Sequence, residues 1–269
     1  MRVVSFNIRN GLACDGLDSW PFRRNLVAQT LRRLDGDLLA LQKVYLFQQR
    51  HLLDRLPGYG VVGEGRSWKG RFGERCPIFF RRDRLRLLDW RSHRLPRSSP
   101  PRIATSALFG PVEGAGNQPP EVPPATFQVF NLHLDHRSPE TRQAQAAAVL
   151  GFAQPLVPAL ILGDLNETPT GPALRLLLKT ELNDALAGFP AKGARAATYH
   201  GFTGTLDGQR IDHILTSPHW EVERAEVVRR PRVSSAGTSG SFPPGSFPSD
   251  HWPILADLRL NAGHNPART

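Results

Sequence analysis

The sequence predicts one α/β domain in which two packed mixed β-sheets carry helices on their outer faces. The chain has 269 residues, 40% of them hydrophobic and 22% charged, a composition typical of a globular protein with a sizeable core. Segments with the two-residue period of strands alternate with segments of helical period for most of the length. The strands fall into two clusters with helices between and outside them, which favours two packed sheets.

In the first half, the residue pattern predicts both strands and helices. A helix begins at Pro21 and places Leu26, Val27, Thr30, Leu31 and Leu34 on one face. A second helix, over residues 46–56, ends at the turn signal Pro57-Gly58. Alternating or continuous apolar patterns predict strands over residues 2–8, 37–42, 59–62, 77–81, 85–90, 103–109 and 126–134.

The second half repeats this mixture. Helices are predicted over residues 142–152 and 173–178, and strands over residues 159–162, 210–215, 222–229 and 254–260. Residues 110–124 and 231–248 are rich in Gly, Pro and Ser, which indicates long surface loops. Strands lie on both sides of each loop, so we expect a single domain over residues 1–260 and a polar C-terminal tail over residues 261–269.

The formal charge of +10 bears on possible partners. Lysine occurs only at Lys43, Lys69, Lys179 and Lys192, so nearly all the cations are arginines. Arginine suits phosphate, which favours a polyanionic partner such as nucleic acid, but an arginine-rich proteome would give the same composition. No apolar run approaches the roughly 20 residues that span a bilayer, and the first residues lack the apolar core of a signal peptide. We therefore expect no membrane association, a cytoplasmic location and a monomer.

Polar side chains stand at the ends of predicted strands, where a core pattern would place apolar ones. They form five groups along the chain: Asn7; His133 in HLDH; Asp164 and Asn166 in GDLN; Asp212 in RIDH; and Asp250 and His251 in SDHWP. Taken alone, GDLN also fits a turn, and SDHWP also fits a turn cap followed by a surface histidine. Because all five groups lie at strand ends, we expect them to converge on one cleft.

In this order, the five groups resemble the motifs of the endonuclease/exonuclease/phosphatase superfamily, the metal-dependent phosphoesterases that include DNase I-like nucleases. The likeness runs from Ser5-Phe6-Asn7-Ile8-Arg9 to Pro248-Ser249-Asp250-His251. It implies a four-layer α/β sandwich with the site at one edge of two facing sheets. It also implies hydrolysis of a phosphoester with an all-oxygen Mg²⁺ or Mn²⁺ site.

The resemblance implies a role for each residue. Asp164 and Asn166 would position and deprotonate the attacking water. His251, oriented by Asp212, would lie against the phosphate. His133 would be a second histidine on the phosphate, and Glu74 would be its carboxylate partner. Arg102 would hold the phosphate, and Asn7 and Asp250 would belong to the metal site.

One position departs from the family pattern. After the second strand the family has Leu-Gln-Glu, whose glutamate is the principal metal ligand, whereas this chain has Leu41-Gln42-Lys43. An ammonium cannot ligate Mg²⁺ and would repel it. Three interpretations stay open at this point: a weakened or silent relative, an engineered or erroneous change, or an ammonium that stands in for the metal. In each of them we expect weak binding of Mg²⁺ or Mn²⁺.

The sequence leaves the substrate open, because substrate choice in such folds depends on loops. Trp68 and Phe72 lie among Arg66, Lys69, Arg71 and Arg75 in one predicted loop, which could stack bases and hold phosphates or could simply be solvated. The favoured function is a metal-dependent phosphoester hydrolase acting on nucleic acid or a small organic phosphate. The alternative is a catalytically silent relative that binds polyanions or nucleic acid.

Overall fold

The computed structural model describes residues 1–67, 69–112, 125–188, 196–229 and 247–261. Most of both predicted loops, nearly all of the predicted tail, and Trp68 lie outside the described residues. The helices are α1 (Trp20–Leu34), α2 (Leu46–Leu53), α3 (Pro139–Phe152) and α4 (Pro172–Leu178). The strands are β1 (Arg2–Asn7), β2 (Leu38–Gln42), β3 (Tyr59–Val62), β4 (Gly65–Ser67), β5 (Phe72–Arg75), β6 (Ile78–Arg81), β7 (Leu85–Leu95), β8 (Arg102–Pro111), β9 (Phe127–His133), β10 (Ala159–Asp164), β11 (Asn183–Asp184), β12 (Asp212–Thr216), β13 (Trp220–Val227) and β14 (Ile254–Leu260).

Twelve of these strands form two six-stranded mixed sheets. The first sheet has the order β13-β14-β1-β2-β6-β3, and the second has the order β11-β12-β10-β9-β8-β7. Near the middle of each sheet lies one parallel pair, β1 with β2 and β9 with β10, and the other neighbours are antiparallel. The two sheets therefore repeat one arrangement, with a parallel pair flanked by antiparallel strands.

Three apolar cores separate the layers. Val3 on β1 and Val129 on β9 belong to the core between the two sheets, whereas Val4 on β1 packs with Leu31 of α1 on the outer side of the first sheet. Leu174 of α4 belongs to the third core, on the outer side of the second sheet. Because both faces of β1 are covered, all of its residues from Val3 to Asn7 are buried. The predicted four-layer α/β sandwich is confirmed.

Some predicted boundaries differ from the structure. Helix α2 ends at Leu53, three residues before its predicted end, because the chain tightens there into turns in which Arg55 N–H donates to Leu52 O. Strand β7 continues to Leu95, beyond its predicted end at residue 90. The segment around Arg66 and Phe72, predicted as a loop, forms the two-stranded sheet β4-β5 instead.

Among the described helices, none is long and apolar enough to cross a membrane. The cytoplasmic location, the monomeric state and the limits of the domain stay predictions.

Candidate active site

The strand order brings the polar strand ends to one edge of the sandwich. Because β1 and β2 are parallel, Asn7 and the position after Gln42 lie at the same edge of the first sheet. Because β9 and β10 are parallel, His133 and Asp164 lie side by side in the second. Strand β12 is antiparallel to β10, so its first residue, Asp212, pairs with Asp164. Strands β1 and β10 face each other across the central core, so the two edges meet.

A buried cluster of four side chains forms the centre of the site. Asn7 Nδ2 donates to Asp164 Oδ2 over 2.8 Å and lies 3.2 Å from His251 Nε2. His251 Nδ1 bonds Asp212 Oδ2 over 2.9 Å, and His251 Nε2 lies 3.8 Å from Asp164 Oδ2. None of the four is more than 2% exposed, so His251 is not a surface histidine.

The GDLN segment forms a turn, and this turn positions the carboxylate of Asp164. The backbone N–H of Asn166 donates to Asp164 Oδ1 over 2.9 Å, and Asn166 itself adopts a left-handed φ of 47°. Asparagine tolerates that conformation better than most residues. At Gly163 a Cβ would collide with the carbonyl oxygen of Leu132 on the neighbouring strand, so only glycine fits there. The turn therefore holds Asp164 at the strand end with Oδ2 facing the cluster.

The charges of the cluster set opposite protonation states on its two histidines. Burial alone lowers the pKa of His251, but the carboxylates of Asp212, Asp164 and Asp250 outweigh it and raise that pKa to about 9. Burial, together with the charges of Arg102 and Lys43, holds the pKa of His133 well below its ordinary value of 6.5. At neutral pH His251 is therefore a cation and His133 is neutral.

Asp164 is the carboxylate whose environment resists ionisation. Burial and the neighbouring charge of Asp212 raise the pKa of Asp164 above its ordinary value of 3.8, against the opposing charges of His251 and Lys43. A carboxylate with a raised pKa is a stronger base, which suits the deprotonation of water.

His133 lies between Asp164 and Arg102. Arg102 Nη1 donates to His133 Nδ1 over 2.9 Å, and His133 Nε2 lies 3.5 Å from Asp164 Oδ2. Arg102 Nη2 donates to His136 Nδ1, also over 2.9 Å. In the described part of the chain, the buried Arg102 guanidinium has imidazoles as side-chain partners and no carboxylate within 4.0 Å. Glu74 and Asp164 stabilise its charge only from a longer distance.

The carboxylate of Glu74 does not pair with His133, contrary to the expectation from the resemblance. Glu74 Oε2 lies 2.8 Å from Arg66 Nη1, and Glu74 Oε1 accepts from Asn10 Nδ2 over 2.9 Å. The reason is that Arg102 occupies the Nδ1 side of His133. A cavity of about 210 Å³ opens beside the cluster, and Glu74 lines it together with Lys43, Arg66, Arg102, His133, Asn166 and others.

Asp250 sits beside the cluster but its partners are different. Asp250 Oδ2 lies 3.1 Å from Arg9 Nη1, and Asp250 Oδ1 accepts from Ser249 Oγ over 3.1 Å. Arg9 also donates its backbone N–H to Asn7 Oδ1 over 3.0 Å. The oxygens that Asn7 and Asp250 could offer to a cation are therefore already engaged, largely by an arginine.

Phosphoesterases of this type generally use a divalent metal, and the residues present do not fit one. Among the described residues, one group offers three candidate ligand atoms within 4.8 Å of one another: Asp164, Asp212 and His251. In this group the facing atoms already bond one another or Asn7: His251 Nδ1 with Asp212 Oδ2, and Asp164 Oδ2 with Asn7 Nδ2. At Asn7 and Asp250, Arg9 stands where a divalent ion would bind, and the charge of Lys43 acts on Asp250 as well.

Arg23 is a supporting residue that sequence reasoning missed. This fully buried side chain donates to the carbonyl oxygens of Ile8 and Pro248, at 2.6 and 2.9 Å, and so ties the loop after Asn7 to the loop before Asp250. Burial lowers the pKa of Arg23 to about 10, so it stays charged. A signal existed in the sequence, because Arg23 lies three residues before Leu26 on the apolar face of α1.

The fold and the site define a two-sheet α/β sandwich with a buried carboxylate–imidazole cluster at the shared sheet edge. The chain belongs to the Endonuclease/Exonuclease/phosphatase family, whose model matches residues 4–251. The resemblance seen in the sequence is thereby confirmed, whereas the roles of individual residues stay predictions. No curated protein matches the chain.

Several solved structures are similar over nearly the whole chain. An endonuclease/exonuclease/phosphatase family protein from Bacteroides thetaiotaomicron is 26% identical, with a TM-score of 0.81 and coverage of 96% of this chain and 97% of that one. A mannosyl-6-phosphatase from the same organism is 27% identical, with a TM-score of 0.81 and coverage of 97% and 100%. The human Nocturnin catalytic domain shares the fold at 21% identity, with a TM-score of 0.72 and coverage of 97% and 93%.

Proposed function

We propose that the protein hydrolyses a phosphoester, either a small organic phosphate or nucleic acid. The observation that carries this proposal is the buried cluster of Asp164, Asp212 and His251 beside a cavity lined by Arg102, which forms no ion pair in the described structure. A buried cation without a counterion favours an anionic ligand, because an isolated charge is costly in the interior. Phosphate, with several acceptor oxygens, matches a guanidinium and two imidazoles.

The chemistry follows from the protonation states. Asp164, with its raised pKa, would take a proton from water that Asn166 helps to orient. The water oxygen would bond to phosphorus while the bond from phosphorus to the leaving oxygen breaks. The imidazolium of His251, oriented by Asp212, would hold a non-bridging oxygen as charge develops on it. The leaving oxygen would take up a proton from solvent and Asp164 would return its proton to solvent, so the products are an alcohol and a phosphate.

The size of the cavity and the likeness to a mannosyl-6-phosphatase support a small phosphate ester as the first substrate to test. Purified protein would be incubated with mannose 6-phosphate, with bis(p-nitrophenyl) phosphate and with a single-stranded oligonucleotide. Asp164→Asn is the matched control, because it keeps the shape and removes the base. We expect turnover of at least one ester and a loss of about 10²-fold or more in Asp164→Asn.

The cations Lys43 and Arg9 favour a second candidate, a silent relative that binds polyanions or nucleic acid. That function predicts no turnover of any ester beyond the Asp164→Asn background, with salt-dependent binding of the oligonucleotide. Turnover that depends on Asp164 would exclude it.

A further inference from the structure

The backbone aims Lys43 at the catalytic cavity. Lys43 follows the last residue of β2 and has a left-handed φ of 58°. The next residue, Val44, is fixed by two backbone hydrogen bonds to Arg75, of 3.2 and 2.7 Å. This left-handed backbone sets the direction of the Cα–Cβ bond of Lys43. The side chain lines the cavity of about 210 Å³ that Arg102, His133 and Asn166 also line.

The ammonium of Lys43 has no partner within the part of the chain that the structure describes. Neither a carboxylate within 4.0 Å nor a hydrogen-bond acceptor satisfies it there. Burial raises the pKa of Asp250, but the charges of His251 and Lys43 lower it. Burial and the charge of Arg102 lower the pKa of His133, and the charge of Lys43 lowers it further. The ammonium thus lies close enough to the cluster to act on it while its three N–H donors stay available.

Lys43 and Arg102 together make the cavity an anion site. Neither group has a carboxylate within 4.0 Å in the described structure, and both line one small cavity next to Asp164 and Asn166. Two carboxylates also line this cavity, but Glu74 pairs with Arg66 and Asp135 accepts from backbone N–H groups. An ammonium is a compact charge with three donors, and a guanidinium is a planar fork. Both are charge-assisted donors to phosphate oxygens.

We propose that Lys43 holds the phosphate of the substrate directly and supplies, with Arg102, the positive charge that a divalent cation would otherwise provide. Binding and hydrolysis of the ester then need no metal. This inference rests on the proposed function for hydrolysis, whereas its binding part stands on the cavity alone. If no metal is needed, Asn7 and Asp250 can have Arg9 as their partner while the site still binds and hydrolyses the ester.

The first test measures binding without turnover. Wild type, Lys43→Met and Lys179→Met would be titrated calorimetrically with tungstate, a phosphate analogue, in EDTA. Lys179 is an exposed lysine at the end of α4, so its variant controls for loss of one charge. We expect wild type and Lys179→Met to bind alike and Lys43→Met to bind about tenfold or more weakly, the usual scale of one charge-assisted hydrogen bond. Equal affinity of all three proteins, or wild-type binding that appears only with Mn²⁺, would overturn the inference.

The second test measures hydrolysis of the ester found active, in EDTA and in Mn²⁺. Hydrolysis in EDTA that Lys43→Met lowers at least about tenfold, and Lys43→Arg partly restores, supports the inference. Hydrolysis by wild type only in Mn²⁺ overturns it and leaves the proposed function intact. Binding of tungstate in EDTA through Lys43 without hydrolysis of any ester contradicts the proposed function and leaves the anion site standing.

Discussion

Replacing Asp212 by asparagine should change the charge of His251 with little change of shape. The amide oxygen of asparagine can still accept from His251 Nδ1, which lies 2.9 Å from Asp212 Oδ2. The negative charge, however, is removed. At about 4 Å and an effective dielectric constant of about 20, the lost attraction is about 4 kcal/mol. That is comparable to the roughly 3 kcal/mol separating a pKa of 6.5 from one of about 9. We therefore expect the pKa of His251 to fall from about 9 to its ordinary 6.5 or below.

The assay is a pH titration of the imidazole signals by NMR, in wild type and Asp212→Asn. His251→Gln identifies the signals of His251 by their loss, and far-UV circular dichroism at pH 7 controls for folding. If hydrolysis uses the imidazolium, wild-type activity should also decline above about pH 9, and activity of the variant should decline at lower pH. A pKa of His251 that is the same in both proteins would refute the assigned contact and the electrostatic reasoning built on it.

Three further predictions concern the site and its support. His251→Ala should lower turnover by roughly 10²-fold or more in a folded protein, measured as kcat with the active ester; unchanged kcat would remove His251 from the mechanism. Lys43→Glu should convert weak Mn²⁺ binding into tight binding, by orders of magnitude in calorimetric affinity, and should raise activity in Mn²⁺ at least about tenfold; equal affinity in both forms would mean that Lys43 points away from the site. Burial raises the pKa of Asp184, but His213 and Arg210 outweigh burial and hold that pKa well below 3.8. The Asp184 carboxylate therefore stabilises the fold above about pH 4 and progressively less below it. Asp184→Asn should therefore cost about 3 kcal/mol in urea unfolding at pH 7, a difference that should shrink as the pH falls below 4; a constant difference from pH 7 to pH 3 would contradict the assignment.

The sequence predicts the frame of the molecule well because buried strands carry its signal. Both faces of β10 are covered, so its apolar run predicts a buried strand, whereas β1 is predicted from its alternating pattern. The carboxyl ends of these two strands carry Asp164 and Asn7. The β4-β5 hairpin was missed because Gly65, Gly70 and charged residues give it no apolar alternation. It is held by backbone contacts such as Gly65 N–H to Gly70 O, at 2.7 Å, rather than by a core.

Apart from Arg102, which the family resemblance implies, the arginines that pair with the carboxylates of the site could not be identified from the sequence pattern. Arg9 and Arg66 are two among many arginines, and neither has a spacing that separates it from solvated ones. Their roles depend on which carboxylate the fold brings to them: Asp250 for Arg9 and Glu74 for Arg66. The family resemblance implies His133 as the partner of Glu74, but Glu74 pairs with Arg66 because tertiary structure decides which side chains meet.

A crystal of the protein soaked with tungstate and Mn²⁺ tests the central claim most directly. Anomalous scattering distinguishes the two ions, so one experiment locates both the phosphate analogue and any metal. The account predicts tungstate within hydrogen-bond distance of the Lys43 ammonium, Arg102 and His251, with no manganese between Asn7 and Asp250 at millimolar concentration. Manganese bound between Asn7 and Asp250, with Arg9 displaced from them, would contradict it.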